Sequence, residues 1–226
     1  MEKQNVVLIT SVINIPNLPF SYTDTRSVYT HAERFEQTIN TIDSVKCNIP
    51  DSIIFIVECS PLENDKKEYL IQNSDIFVNL YDLNDPDIIH AVFSISKSHG
   101  EGCITIYALK YLIENKIQFR NLYKISGRYW INEYFNYDVF NNDDIVVKIP
   151  INYEYDIFTF LYKLPMRIIP LWLDFLLNST NDMHNCIGFE RLFADFIYGL
   201  NHESTVYIYT LGISGMIAVD GNKIQE

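Results

Sequence analysis

The sequence is short of most features that mark a function at sight. Its 226 residues include four cysteines and eight glycines. Cys47, Cys59, Cys103 and Cys186 are far apart and form no Cys-x-x-Cys pair or Cys/His cluster, which argues against a disulfide framework. Each neighbours apolar residues, so buried, reduced thiols are expected. The histidines, His31, His90, His99, His184 and His202, show neither HxxxH nor HxH spacing, and a zinc site is not expected. No serine sits in a Gly-x-Ser-x-Gly elbow, and no Cys/His neighbourhood suggests a protease. Lysine and arginine never form a run, and 17 of them against 29 acids give a net charge of −12. A nucleic-acid polymer is excluded on that balance, because counterion release needs clustered cations. An anionic membrane surface would repel the chain, but one small anion in a local positive pocket stays compatible.

Long hydrophobic runs are missing too. The longest, Ile157 to Leu177, is broken by Lys163, Pro165, Arg167, Pro170 and Asp174, which makes it a poor membrane span. It reads either as core or as an exposed apolar patch for an acceptor, a lipid or a partner. The N-terminal Met1-Glu2-Lys3-Gln4-Asn5 enters a strand-like segment with no secretory h-region. A reducing cytoplasm is the expected compartment.

What is present is core material: 48% hydrophobic and 14% aromatic residues. A chain of this length hides about three quarters of its unfolded surface in one domain. Val6 to Thr10 is a short continuous apolar run, as in a strand buried on both faces. Thr30-His31-Ala32-Glu33 is a capping box, and the following Phe35, Ile39, Ile42 and Val45 predict a helix with one apolar face. Ser52 to Val57 is a second strand, Glu63 to Gln72 a polar helix and Asp75 to Tyr81 a third strand. Asp85 to Ser98 is ambiguous, with Asp85-Pro86-Asp87 read as a turn and helix N-cap. A helix opens after Gly100-Glu101-Gly102 and runs to Glu114, and Asn121 to Ser126 forms a fourth strand. The alternation predicts an α/β fold, a mostly parallel central sheet with helices on its faces, in a single domain over 1–226. The second half reads as strands at Asp144–Ile149, Phe158–Leu164 and Ser204–Thr210, and helices at Pro170–Leu177 and Gly188–Tyr198. The glycines of Gly212-Ile213-Ser214-Gly215 mark a bend or a close backbone approach.

Ligands of open α/β sheets bind beyond the carboxyl ends of the strands. That rule selects Thr10-Ser11, Glu58-Cys59-Ser60, Lys97 to Gly102 and Ser126-Gly127-Arg128-Tyr129. Lys97-Ser98-His99-Gly100-Glu101-Gly102 suits a phosphate at a helix start, or is an ordinary glycine-containing turn with an exposed lysine. Arg128 suits a diphosphate or carboxylate clamp, or a structural ion pair. Glu58 either accepts hydrogen bonds from a base or ribose or faces water at a strand end. Glu190 stands off the apolar stripe Phe189, Leu192, Phe193, Phe196 and Ile197. It either complements its helix dipole or enters the cleft as a general base.

Together Arg26-Ser27-Val28-Tyr29, Glu33 to Thr38, Glu58-Cys59-Ser60, Lys97 to Glu101, Lys124 to Tyr129, Gly188-Phe189-Glu190-Arg191 and Gly212 to Gly215 span nearly the whole chain. Their order resembles the small GT-A-type glycosyltransferases of large DNA viruses and bacterial surface-polysaccharide clusters. The Ile-, Asn- and Tyr-heavy usage suits an AT-rich genome such as a giant virus, which would make the location host cytoplasm. The resemblance implies a Rossmann-like GT-A fold. Residues 1–130 would bind the nucleotide of a UDP- or GDP-linked sugar, and residues 131–226 would meet a glycan acceptor. It implies that Thr10, Glu58, Lys97, Gly100, Ser126, Gly127 and Arg128 line the donor side, and that Glu190 is the base of an inverting transfer. The Asp-x-Asp that holds a divalent ion in such enzymes is replaced by Ser126-Gly127-Arg128. Either Lys97 and Arg128 neutralise the leaving diphosphate without a metal, or manganese or magnesium is held by ligands the sequence does not reveal.

Two other readings stay open. A nucleotidyltransferase would want a glycine-rich loop after the first strand, and Thr10 to Pro19 has no glycine. A catalytically inactive glycan- or partner-binding module would suit the missing Asp-x-Asp and the aromatics Tyr129, Trp130, Tyr134, Phe135 and Tyr137.

Overall fold

Runs of Val, Leu and Ile too short for a helix form the centre of the molecule, as their burial on both faces requires. The computed structural model describes residues 4–149 and 155–226, so the first three residues, part of the leader argument above, lie outside it. Strand β1 (Asn5–Ser11) is buried along its whole length. It is followed by α1 (His31–Asn48), β2 (Ser52–Glu58), α2 (Asn64–Gln72), β3 (Ile76–Asn79), α3 (Pro86–Phe93), α4 (Lys97–Glu114) and β4 (Asn121–Ser126). Then come β5 (Tyr129–Ile131), α5 (Tyr137–Phe140), β6 (Ile145–Lys148), β7 (Leu161–Pro165), α6 (Ile169–Asn178), α7 (Thr180–His184), α8 (Phe189–Gly199), β8 (Thr205–Ile208), β9 (Ile213–Met216) and β10 (Lys223–Gln225).

The main sheet has the order β3-β2-β1-β4-β7-β6-β8. The pairs β3/β2, β2/β1, β1/β4 and β6/β8 are parallel, and only β7 runs against its neighbours. The α/β class and the mostly parallel sheet expected from the alternation are therefore present. One hydrophobic core, around Leu8, Phe55, Leu122 and Trp172, joins the sheet to α4, α6 and α8. A second, around Ile9, Ile42, Tyr123 and Ile213, joins the other face to α1 and to a small antiparallel sheet, β10-β9-β5. The three strands expected in the second half, β6, β7 and β8, belong to the same main sheet as those of the first.

Several expectations are met locally. Thr30 and Glu33 form the reciprocal capping box, and the Asp85 side chain accepts from the backbone N–H groups of Asp87 and Ile88. Gly212 has φ +71°, and a Cβ there would lie 2.2 Å from Phe135 Cα, so it is both a bend and a close approach. The stretch 157–177 is mostly core, with Ile157, Leu161, Leu164, Ile168, Trp172 and Leu176 buried while Leu171 and Leu177 face solvent. Among the described residues, no helix is long and apolar enough to cross a membrane.

Four expectations need correction. Helix α4 begins at Lys97, not after Gly102, because the Ser96 hydroxyl caps the His99 N–H. Its glycines are packing residues: a Cβ at Gly100 would lie 3.1 Å from Val92 Cα of α3, and one at Gly102 would lie 2.1 Å from Met183 Sδ of α7. The apolar stripe of α1 is fully buried only at its C-terminal end, while Phe35 is half-buried against the same core. Ile42 and Val45 are buried, but so are the polar Arg34, Gln37, Thr38 and, beside Ile42, Thr41. Cys59 alone among the cysteines is fully buried, while Cys47 is exposed and Cys103 and Cys186 are half-buried. The third strand ends at Asn79, whose side chain accepts from the Tyr81 N–H and turns the chain into a single 3₁₀ turn.

Candidate active site

Register brings the chemistry to one level. Thr10 pairs with Ser126 and Ser11 with Glu58, so the carboxyl ends of β1, β2 and β4 finish together. The chain turns sharply after β4: Gly127 N–H donates to Thr10 O at 2.9 Å, and Arg128 N–H to Ser126 O at 2.8 Å. Any Cβ at Gly127 would stand 3.3 Å from Ser11 Cβ, Thr10 O and Thr38 Oγ1, so a glycine lets this turn lie on β1 and α1. The polar half of α1 packs here, with Thr38 Oγ1 donating to Gly127 O (3.1 Å) and Thr41 Oγ1 to Tyr129 O (2.7 Å). That contact is why hydroxyls take the place of the expected apolar stripe.

Above these ends lies a cavity of about 260 Å³. Thr10, Lys97, Gly100, Ser126, Gly127, Arg128 and Glu190 all line it. Glu58 does not. Its carboxyl is fully buried beneath the floor, where Oε1 accepts from the Ile13 N–H (2.9 Å) and the Ser60 hydroxyl (2.5 Å). Burial pushes its pKa up, against those hydrogen bonds, a contribution from Ser11 and the Arg34 charge. Glu58 thus pins the chain after β1 and touches no ligand space.

Groups the sequence reading gave no role complete the site. Arg34 is buried and donates through Nε and Nη2 to Val12 O (3.0 and 2.5 Å) and through Nη1 to Ser27 Oγ (3.3 Å). Burial, then the Arg128 charge, push its pKa down to about 9, against the pull of Glu58. Lys124 is wholly buried under the cavity and donates to Glu101 Oε1 (2.6 Å), Ser126 Oγ (2.9 Å) and Thr159 O (2.9 Å). A lysine inside an otherwise apolar central strand was the available signal for such a buried partner. The roof consists of Phe20, Tyr22 and Arg26 from the loop after β1 and Ile217, Ala218 and Val219 after β9. Val28 N–H donates to Ala218 O at 2.8 Å and joins the two roof segments.

Two helix starts supply the reactive charges. Lys97, first in α4, places Nζ 3.3 Å from Glu190 Oε1 in the first turn of α8. The Thr159 hydroxyl donates to the same oxygen at 3.4 Å. Burial raises the Glu190 pKa. The Lys97 charge, its own backbone N–H, the Lys97 hydrogen bond and Lys124 outweigh that, so the carboxyl titrates below its ordinary value. The Lys97 pKa is raised, first by Glu190 and, against burial, also by Glu101. Arg128 is half-buried and forms no ion pair among the described residues, its guanidinium 5.8 Å from the Tyr129 ring centroid. The cavity is therefore a positive pocket in a chain of charge −12, with Arg34, Arg128 and Lys97 as successive cations.

The donor set at the end of β4 does not suit a divalent metal ion. Ser126 Oγ accepts from the Lys124 ammonium, Arg128 is itself a cation, and the acids lining the cavity, Glu101 and Glu190, are each held by a lysine. Among the described residues, no three His, Cys, Asp or Glu side chains converge to hold a metal.

No family model matches the sequence. No curated protein matches it either. Solved structures do. The galactosyltransferase LgtC, in complex with donor and acceptor sugar analogs, is 10% identical with a TM-score of 0.50, over 89% of this chain and 72% of its own. A glycosyltransferase involved in glycosylation of the major capsid of PBCV-1 is 11% identical over 91% of this chain and 84% of its own, TM-score 0.48. Mouse xyloside xylosyltransferase 1, in its apo form, is 10% identical with the same coverage and TM-score. In architecture, the chain has the fold of the GT-A-type glycosyltransferases.

Proposed function

We propose that the protein is a glycosyltransferase that moves a sugar from a UDP- or GDP-linked donor to a glycan acceptor with inversion. The observation that carries this reading is the meeting of Arg128, Lys97 and Glu190 in one cavity at the carboxyl ends of β1 and β4. The residues up to 130 hold the donor nucleotide, and those from 131 on meet the acceptor.

A sugar hydroxyl is a poor nucleophile until its proton is taken as the new bond forms. Glu190 accepts that proton. The hydroxyl oxygen bonds to the anomeric carbon from one face, and the bond from that carbon to the diphosphate oxygen breaks on the other. The electron pair leaves with the diphosphate. Negative charge grows on the departing oxygens, and fixed cations there lower the barrier because they need no reorganisation. Arg128 offers a planar fork to two phosphate oxygens, and Lys97 a compact charge. Arg34 has given its donors to Val12 and Ser27 and adds only its field. On this reading the clamp is metal-independent, and the free cysteines fit a reducing cytoplasm, that of a host cell for a viral chain.

The deciding experiment is thermal shift with UDP, GDP, CDP, CMP and their sugars, each with EDTA or with manganese. A ligand at about 100 times its dissociation constant adds roughly 2.7 kcal/mol. A selective shift that survives EDTA is expected. A shift that needs manganese overturns the metal-free clamp, and no shift with any nucleotide returns the chain to the reading of an inactive glycan-binding module.

A further inference from the structure

Lys97 and Glu190 are each other's nearest charge, yet both keep surface toward the cavity, with side-chain exposures of 35% and 27%. The remaining groups around Glu190 are fixed or distant. Lys124 is wholly buried, with its donors given to Glu101, Ser126 and Thr159. Thr159 offers one hydroxyl at 3.4 Å, and Glu101 is held by Lys124. Arg128 and Tyr129 line the same cavity and, among the described residues, form no hydrogen bond or ion pair with Glu190. Among the described residues, Lys97 is therefore the cation that both neutralises Glu190 and can turn to a ligand.

We infer that Lys97 is shared in sequence between Glu190 and the donor: the diphosphate of a bound nucleotide takes it over, and Glu190 becomes a stronger base only once the donor is seated. The inference rests on the glycosyltransferase reading. One ammonium has one charge and three N–H donors. A diphosphate beside Arg128 offers it more negative charge than a single carboxylate. Once Lys97 turns away, Glu190 keeps the burial that raises its pKa and loses the strongest influence that lowers it. Before the donor binds, the ion-paired carboxylate is a weaker base toward water or an acceptor than it becomes afterwards. No covalent bond changes in this step. Across the pH window between the two Glu190 pKa values, the complex binds more protons than the free protein, so nucleotide binding takes up a proton from solvent.

Calorimetry of UDP and GDP binding to the full chain, at a series of pH values upward from the ordinary carboxylate range and in buffers of different ionisation enthalpy, reads that proton directly. Uptake in the wild type should exceed that in Glu190→Gln by a measurable fraction of a proton per nucleotide. The phosphate's own proton cancels in that difference. In Lys97→Met, adding Glu190→Gln should leave uptake unchanged, since no shared cation remains. Equal uptake in wild type and Glu190→Gln, with nucleotide bound to both, overturns the inference and leaves the glycosyltransferase reading standing. No binding of either nucleotide to the wild type removes both. Should Glu190→Gln fail to fold, Glu190→Ala takes its place in the same two comparisons, with the same outcomes supporting or overturning the inference.

Discussion

Glu190 and Glu58 show how position decides what one carboxyl does. Both come from glutamates beside apolar residues, but Glu190 faces a cavity and a lysine, and Glu58 lies sealed under the floor. Glu190→Gln should abolish transfer while donor affinity holds or rises, since Lys97 is then free for the diphosphate, as read by a transfer assay beside calorimetry. Normal turnover would remove it as the base. Lys97→Ala should weaken nucleotide binding by about 1–3 kcal/mol, the range for a charge-assisted hydrogen bond, and an unchanged dissociation constant would take it out of the site. Glu58 predicts a pH effect of definite sign. Its folded pKa is raised above the ordinary 4.5, so its contribution is fully present below that value. It is lost as pH rises through the folded pKa, because the unfolded chain ionises first. Glu58→Gln should therefore gain melting temperature relative to wild type as pH rises from the ordinary carboxylate range. A difference flat across that range would mean the group is already ionised in the folded protein.

At the scale of elements, glycine spacing misleads unless the neighbour is known. Gly100-Glu101-Gly102 reads as a loop before a helix, and helix interiors disfavour glycine by about 1 kcal/mol each. Here both glycines are kept inside α4 because α3 and α7 press against them. Gly102→Ala gains helix propensity and meets Met183 Sδ, a flexible side chain, so overpacking of about 1–3 kcal/mol should outweigh the gain. Denaturant melts would show it, and a stabilised variant would mean α7 yields freely. The same logic separates what was legible from what was not. Strands β1, β2 and β4 and the cap of α1 were legible because burial on both faces and capping chemistry are written in adjacent residues. Seven of the eight expected site residues meet in the cavity, Thr10, Ser126, Gly127 and Arg128 from the converging ends of β1 and β4 and Lys97, Gly100 and Glu190 from the starts of α4 and α8. Glu58 lies under the cavity floor instead of lining it, because a strand end does not tell which side of the floor a side chain takes. Strands β5, β9 and β10 have three or four residues each, and β5 finds its partner β9 some eighty residues on, so no local pattern marks them.

Across the whole molecule, negative surface surrounds a positive cavity whose roof joins the loop after β1 to the segment after β9. On the proposed function a nucleotide sugar would lie against this roof, in a cavity whose volume of about 260 Å³ is small beside the usual roughly 300–1,000 Å³ of small-molecule sites. Hydrogen exchange should then slow in 20–29 and 217–221 when nucleotide is bound, and slowing confined to the sheet would argue for entry by another route. The roof is fastened by Arg26, which lies over the Phe20 ring and donates to Leu18 O, Val92 O, Phe93 O and Ser94 O, the last three at the carbonyl end of α3. A protease that cuts after arginine must first pull that side chain into its own specificity pocket, so the Arg26–Ser27 bond is masked for as long as the roof stays down. Trypsin should cut early at Lys116, exposed in the turn after α4, and late at Arg26. The lag between the two cuts would time how often the molecule opens on its own.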